Sequence, residues 1–486
     1  MFRRWPPLLL ACSLVFAFSH VVQAAEYVII TRESLAAEFQ RLADYRTAHG
    51  LPAEVRTVES IDAQYPGGVD AAERVRLYLQ DAYAQSGTLW VLLGGDAEVV
   101  PVRYARSSLY NLEEMILSDS YFMCLDGTWN ADGDAFFGEI EDEVDLAPEL
   151  FIGRAPVSDA LEVHLFVDKT IVYENQTPGS AYPNSALFMA ERIFQNLHGA
   201  ELAEPAIDAL PPFFEVVRLY EEAKNWPGAL PLNRAAAIDA MNQGFGIVQH
   251  IGHSEEDYWS LGDDVLTPAD VDQLTNGPLY SVVYTFNSES AAFDVDDAMG
   301  EHWLTSPQGG AVALIGSSAY IYINAWRDIE AEWLRLVFED SVPALGVVSA
   351  LARLPFVQLG QSESAFRQTL FSFTLLGDPA LELRGAGTTG VAGDGAPAHP
   401  LELSVSPNPF TASTSIALDT GAGDAVRVGI YDAAGRLVRD LAQGVRGRAV
   451  IRWDGKAQSG DLAPGVYFLR LDSAAGTATH KLVRVR

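Results

Sequence analysis

The sequence predicts an α/β region built on a mostly parallel sheet, followed by a small all-β sandwich. Three observations predict it. Short apolar runs alternate with helix-period segments as far as Leu381, the order that places helices on the faces of a parallel sheet. A Gly/Ala/Pro/Thr-rich stretch, GAGTTGVAGDGAPAHP, then covers 385–400 and reads as a linker. Beyond it the apolar period falls to two, as in half-buried strands.

The elements follow in order. Tyr27–Ile30 is a buried-strand run. Leu35, Phe39 and Leu42 fall on one face of a helix that Gly50 stops, and Glu54–Val58 alternates as the next strand. Val75, Tyr78 and Leu79 mark a second helix, and Leu89–Leu93 is a continuous apolar strand ending at Gly94-Gly95-Asp96. From about Ala105 to Asp145 the chain turns irregular and acidic. Regular order returns with a strand at Leu150–Arg154 and a helix from Ala160 to Glu174. A second α/β unit starts near Ala186. Its strands are Gly246–Ile251, Leu279–Phe286 and Ala311–Ile315, with a helix around Asp297–Leu304, and it ends at LLGDPAL. The boundaries this predicts are 25–185, 186–384, a linker over 385–400, and a β-sandwich over 401–486.

At 486 residues the chain exceeds one ordinary core. The composition, 49% hydrophobic and 20% charged, is that of a folded protein. A net charge of -33 argues against a nucleic-acid partner, since little is available to neutralise phosphates. Residues 1–24 read as a secretory signal: Arg3 and Arg4, then an apolar stretch from Leu8 to Val22, then Val22-Gln23-Ala24 before the cleavage point. A lipoprotein reading at Cys12 competes, but the apolar run continues through Phe18. Removal of the signal leaves Cys124 as the one cysteine, so no internal disulfide is expected. No later apolar run is long enough for a membrane helix.

Three strands of the second unit end in small or polar residues: Gly252-His253, Asn287-Ser288 and Gly316-Ser317. Carboxyl ends of neighbouring parallel strands converge on one crevice. His253 and Ser288 lie 35 residues apart, enough for one crossover. That spacing fits a nucleophile and its base, with backbone N–H groups at the turns as an oxyanion hole. On spacing alone it fits a strand-end serine and a solvated or hydrogen-bonded histidine better.

The ordered pieces EYVIIT, VLLGGDAEVVPVR, DSYFMCLDGTWNADGDAFFGE, PELFIGRAPV, VQHIGHSEEDYW, FNSESAAFDVDDAMGEHWL, GGAVALIGSS and LLGDPAL resemble the gingipain family of cysteine endopeptidases, of the caspase-like clan. The resemblance covers most of residues 26–384. It implies a caspase-like sheet in two subdomains, with His253 as the base of a Gly-His-Gly motif that here reads Gly252-His253-Ser254. Trp259 fits the pattern, as do Glu301, Trp303 and Leu304 in the following helix. The nucleophile, five residues before Phe293, falls on Ser288 where the family has cysteine. Thiolates form near neutral pH beside His⁺, whereas a serine hydroxyl needs a base in place, usually held by a third group. The resemblance therefore implies a secreted peptidase-family protein whose cysteine-type activity is lost or altered. The alternatives are a non-catalytic surface binding or adhesion protein and a converted serine hydrolase. A slip in the match would place Ser290 at the key position instead.

Asp126, Asn130, Asp132, Asp134 and Glu139 cluster oxygen ligands among glycines, the donor set of a hard cation. The resemblance implies structural Ca²⁺ there; the alternative is a solvated acidic loop. No organic cofactor is expected. Cys124, between Met123 and Leu125, reads as a buried strand residue. His250 and His253, three apart on a strand, point to opposite faces and so do not share a metal. SPNPF, YDAAGRLV, WDG, PGVYFLRL and the final KLVRVR resemble Ig-like C-terminal modules, including type IX sorting domains. That implies partners in secretion machinery or at the bacterial cell surface, besides a protein or peptide bound by the α/β region.

Overall fold

The computed structural model describes residues 25–110, 112–176, 182–295 and 297–385, and most of 402–484. The signal segment, and the linker from residue 386 on, lie outside the described residues. Two compact units, Met1–Thr389 and Gly390–Arg486, divide the chain.

The first unit is organised by one sheet of eleven strands. In chain order these are β1 (Tyr27–Thr31), β2 (Ala53–Thr57), β3 (Trp90–Gly94), β4 (Phe151–Ala155), β5 (Ser185–Ala190), β6 (Glu215–Tyr220), β7 (Leu230–Pro231), β8 (Ile247–Ile251), β9 (Ser281–Phe286), β10 (Ala311–Ser317) and β11 (Phe373–Gly377). They lie side by side as β7-β6-β5-β8-β9-β10-β11-β4-β3-β1-β2. Each half is parallel within itself, but β11 runs antiparallel to β10 and parallel to β4. The two halves therefore point in opposite directions and meet at β10–β11. This is the mostly parallel sheet the apolar runs predict, with one antiparallel seam that a local pattern does not reveal. Where β11 lies beside β4, a Cβ on Gly153 would stand 2.2 Å from the Gly377 carbonyl oxygen, so glycine is what allows the close approach.

Local chemistry explains the elements. The helix Ala36–Ala48 buries Phe39, Leu42, Ala43 and Arg46 on one stripe, and Gly50, at φ +89°, lets the chain leave it. The helix Ala160–Glu174 is opened by a capping box between Asp159 and Glu162. Buried Arg46 ties these layers to the end of β11. Its guanidinium donates to Asp378 at 2.7 and 3.1 Å and pairs with Glu174 at 2.9 Å. Cys124 is not in a strand. It follows the short helix Ser120–Met123, and it is buried and free.

The second unit has a three-stranded sheet (Glu402–Ser406, Thr414–Asp419, Arg448–Trp453) and a four-stranded one (Leu437–Val445, Val426–Asp432, Gly465–Ser473, Gly476–Arg484). Ile416, Val428, Ile430, Trp453 and Leu469 are among the side chains that fill its core. Among the described residues no helix is long and apolar enough to cross a membrane.

Candidate active site

β8 and β9 are neighbours in register, His250 beside Thr285 and Ile251 beside Phe286. The segments that follow them, Gly252-His253 and Asn287-Ser288, thus emerge at adjacent points on the same sheet edge. His253 is exposed and Ser288 half-buried. Ser290 is buried and donates its hydroxyl to Asn287, so Ser288 is the more accessible hydroxyl.

Glu191 organises the histidine side, and nothing in the sequence pattern singled it out. It stands one residue past β5 and is 3% exposed. Its carboxylate accepts the His253 amide, the Ser260 hydroxyl at 2.5 Å and the Gly262 amide at 2.9 Å. A Cβ on Gly252 would come within 2.8 Å of it, which accounts for that glycine. The one signal for Glu191 is an acid immediately after the apolar run SALFMA, at a carboxyl end of the same sheet.

The His253 ring is held by a backbone carbonyl rather than by a side chain. Nε2 lies 3.0 Å from the Ile193 oxygen. A carbonyl only accepts, so Nε2 carries the hydrogen and Nδ1 is the lone-pair nitrogen of the neutral ring. Phe194, 55% exposed, meets the ring edge-on at 6.4 Å between centroids. Any proton taken from residue 288 would go to Nδ1. Among the described residues no hydrogen bond joins His253 and Ser288. The Ser288 Oγ instead accepts the Ile321 amide at 3.3 Å.

Several amides expected to bind an oxyanion are already engaged. Glu289 donates to Ala319 at 3.1 Å, Ala291 to Ser317 at 3.0 Å, Gly252 to Phe286 at 3.3 Å, and His253 to Glu191. The amide of Ser288 itself is used by none of these bonds.

Beneath the surface a polar chain links the two strand ends. His250 is fully buried. Its Nε2 donates to the Ser260 carbonyl at 2.7 Å and its Nδ1 accepts the Asn287 amide at 2.7 Å. Asn287 accepts from Ser290, whose Oγ lies 3.5 Å from that of Ser254, and Ser254 donates to the Ser288 carbonyl. The hydroxyl at position 254 thus fastens the Ser288 turn to the His253 strand end. His250 stacks on Trp259 at 4.9 Å and Trp259 on Trp303 at 5.2 Å. Burial holds the His250 pKa below its ordinary value, so it stays neutral and structural. It points inward and His253 outward.

The electrostatics are acidic. Glu289, at φ +59° immediately after Ser288, has its carboxyl pushed up to about 7 by burial and then by Glu256, Glu255, Glu114 and Asp294. Such a field favours a cation and opposes a second anion.

The candidate cation ligands divide into two groups. Asp132, Asp134 and Glu139 bring carboxylate oxygens within 4.8 Å of one another, while Asp126 groups with Asp145 and Glu149. Asn130 accepts the Gly133 amide at 2.8 Å and donates to the Asp134 carbonyl at 2.9 Å. Glu139 pairs with Arg106. The Glu149 carboxyl is pushed up to about 7, first by burial, with Asp126 and Asp145 adding to it. Asp145 ends the turn-rich stretch and Glu149 lies past it, both beyond the 126–139 ligand run, which is why spacing within that run did not find them.

The family profile described as "Peptidase family C25" matches residues 20–384. The chain belongs to peptidase family C25. Its C25 region resembles Lys-gingipain of Porphyromonas gingivalis, 24% identical over 242 residues, which are 49% of this chain and 12% of that protein. Gingipain R1 of the same organism is 23% identical over 266 residues, 52% of this chain and 23% of that protein. The C25 chain therefore spans a minor part of either relative's length. The crystal structure of the Arg-specific cysteine proteinase gingipain R (RgpB) superposes with a TM-score of 0.60 at 19% identity, covering 95% of this chain and 98% of that one. The complex of the P. gingivalis RgpB pro- and mature domains gives 0.60 at 18%, covering 95% and 100%. These likenesses establish the gingipain fold. A profile described as "FlgD Ig-like domain" matches residues 405–476, in keeping with the two small sheets of the second unit.

Proposed function

We propose that this C25 protein holds extended peptide segments in the cleft at His253 and Ser288 and has lost the family's thiol-dependent cleavage. One observation carries the reading: the hydroxyl of Ser288, the residue that this reading puts at the nucleophile position, is bound by Ile321 rather than by His253. A hydroxyl without its base in contact has no populated anion to attack a carbonyl. The carboxylates around Glu289 suit a peptide carrying Lys or Arg, in line with gingipain R being an Arg-specific proteinase.

The test compares wild type, Ser288→Ala and Ser288→Cys on a broad peptide library. Cleavage gained only by Ser288→Cys supports the reading. Cleavage by wild type that Ser288→Ala abolishes overturns it in favour of a serine hydrolase.

Two further elements belong to this proposal. A structural Ca²⁺ would be held by the acidic region. The Asp126–Asp145–Glu149 group suits it better than the loop group, because Glu139 is already paired with Arg106 and Asn130 with the backbone. The protein is exported by its N-terminal segment, and the Ig-like unit serves the secretion machinery or the cell surface; a fusion truncated at residue 384 that stays inside the cell would support that role.

A further inference from the structure

We propose that the open edge of the strand Leu112–Leu117 binds the backbone of an extended basic peptide as an added β-strand, leading it into the Ser288 cleft; this rests on the peptide-cleft reading above. The strand pairs with Tyr104–Leu109 in an antiparallel hairpin of regular register. In such a pair, alternate residues direct their backbone groups away from the partner strand. Arg106 and Ser108 do so: their amides donate to the Phe137 carbonyl at 2.7 Å and to the Glu363 carboxylate at 3.0 Å. Their ladder partners are Met115 and Glu113. These must direct theirs to the opposite side of the hairpin, where among the described residues no acceptor meets either amide.

The same set continues to Leu117, whose carbonyl accepts the Ser318 hydroxyl at 2.6 Å. The edge is thus closed at Leu117 and open from Met115 outward. Exposed edges are ordinarily blunted by charged side chains, Pro, a bulge or a covering element; here the charges are Glu113 and Glu114, which repel an acidic strand and admit a basic one. LEEMIL contains neither Lys nor Pro, and its ladder has no register shift. Leu112 and Met115 are 65% and 49% exposed. Such an edge is what strand addition uses, with main-chain bonds supplying affinity.

The edge leads to the Ser288 turn. Ser318, which closes it, lies three residues before Ile321, the donor to the Ser288 Oγ. Across the hairpin, the Tyr104 hydroxyl donates to Asp294 at 2.7 Å in the loop that follows Ser288. At the tip, Tyr110 lies 6.3 Å from Tyr322. The surrounding charge fixes the sign of the occupant: Glu114, Glu255, Glu256 and Asp294 all act on the Glu289 carboxyl.

The experiment measures fluorescence anisotropy of labelled, unstructured peptides of alternating Lys and Val, about eight residues long, on the full chain. Proline at 115 removes an outward N–H while sparing the ladder, as edge strands tolerate. Met115→Pro is expected to weaken binding about tenfold, and Met115→Ala by less than about threefold. Peptides N-methylated at alternate positions keep the test valid if Met115→Pro misfolds: one register should lose about tenfold and the other stay unchanged. No binding by wild type, equal loss for the two variants, or equal affinity of the two registers overturns the proposal. So does self-association of wild type that Met115→Pro abolishes, because the occupant is then a second copy of the chain. The cleft reading is scored separately. In Ser288→Cys, faster alkylation by lysyl chloromethyl ketone than by chloroacetamide upholds the cleft even if the edge binds nothing. Tight edge binding beside an unreactive Cys at 288 upholds the edge and removes the cleft.

Discussion

Replacement of Glu330 by glutamine should stabilise the protein near neutral pH and leave it unchanged in acid. Glu330 is 4% exposed on the helix Ile323–Phe338, and its carboxyl meets the side-chain amide of Gln249 in β8, the strand that leads to His253. Burial pushes its pKa from 4.5 to about 8, with the Gln249 bond acting in the other direction. The folded state therefore keeps a proton that the unfolded chain releases. Between pH 4.5 and 8 the unfolded state binds fewer protons, so stability falls as pH rises. Below 4.5 both states are protonated and the cost is absent. At pH 7 the offset from 4.5 corresponds to about 3 kcal/mol. Glu330→Gln keeps a partner for Gln249 and removes the titration. Urea unfolding of both proteins from about pH 4 to about pH 8 should show a gap near zero in acid that widens to about 3 kcal/mol at about pH 7. A gap that does not change with pH, or a variant that is less stable in neutral solution, would refute the reasoning.

Three other outcomes are expected. Ser254→Gly removes the hydroxyl that fastens the Ser288 carbonyl and adds backbone freedom, so unfolding free energy should drop by about 1–2 kcal/mol. In a Ser288→Cys background, Glu191→Gln should slow alkylation of the new thiol about tenfold or more, because the His253 amide loses a charged acceptor; an unchanged pH–rate profile would show that Glu191 does not position the imidazole. Ca²⁺ should raise the thermal midpoint of wild type, and Glu149→Gln should remove more of that rise than Asp132→Asn, as read by differential scanning fluorimetry.

Sequence periodicity carried the fold a long way, because buried parallel strands announce themselves as apolar runs. It reached β1, β3, β8, β9 and β10 and the helix Ala160–Glu174. It did not reach the antiparallel seam, since Phe373–Gly377 looks like any other buried strand and its direction is a tertiary fact. His253 and Ser288 were legible as residues following neighbouring strands. The group holding the imidazole was not, because Ile193 acts through its backbone, and any residue supplies a carbonyl. Glu191 was hidden for a different reason: its carboxylate acts on backbone amides and one hydroxyl brought in by loops far along the chain. Asp145 and Glu149 joined Asp126 only through folding, while Asn130 spent its amide on a local turn of the kind asparagine commonly makes.

The seam at β11 sets the order in which the molecule can be made. The last strand of the α/β unit is the one that bridges its two halves, and the Arg46–Asp378 contact spans 332 residues of chain. A chain emerging from its N-terminus can pair β1, β2, β3 and β4 early, yet that patch keeps an uncovered margin at β4 until Phe373–Gly377 arrives. Contacts of such separation are slow to close and leave sticky intermediates exposed meanwhile. For the export proposed above, this delay would help: closure waits for the end of the unit, so an early fold that blocks passage would be postponed until nearly the whole unit had been made.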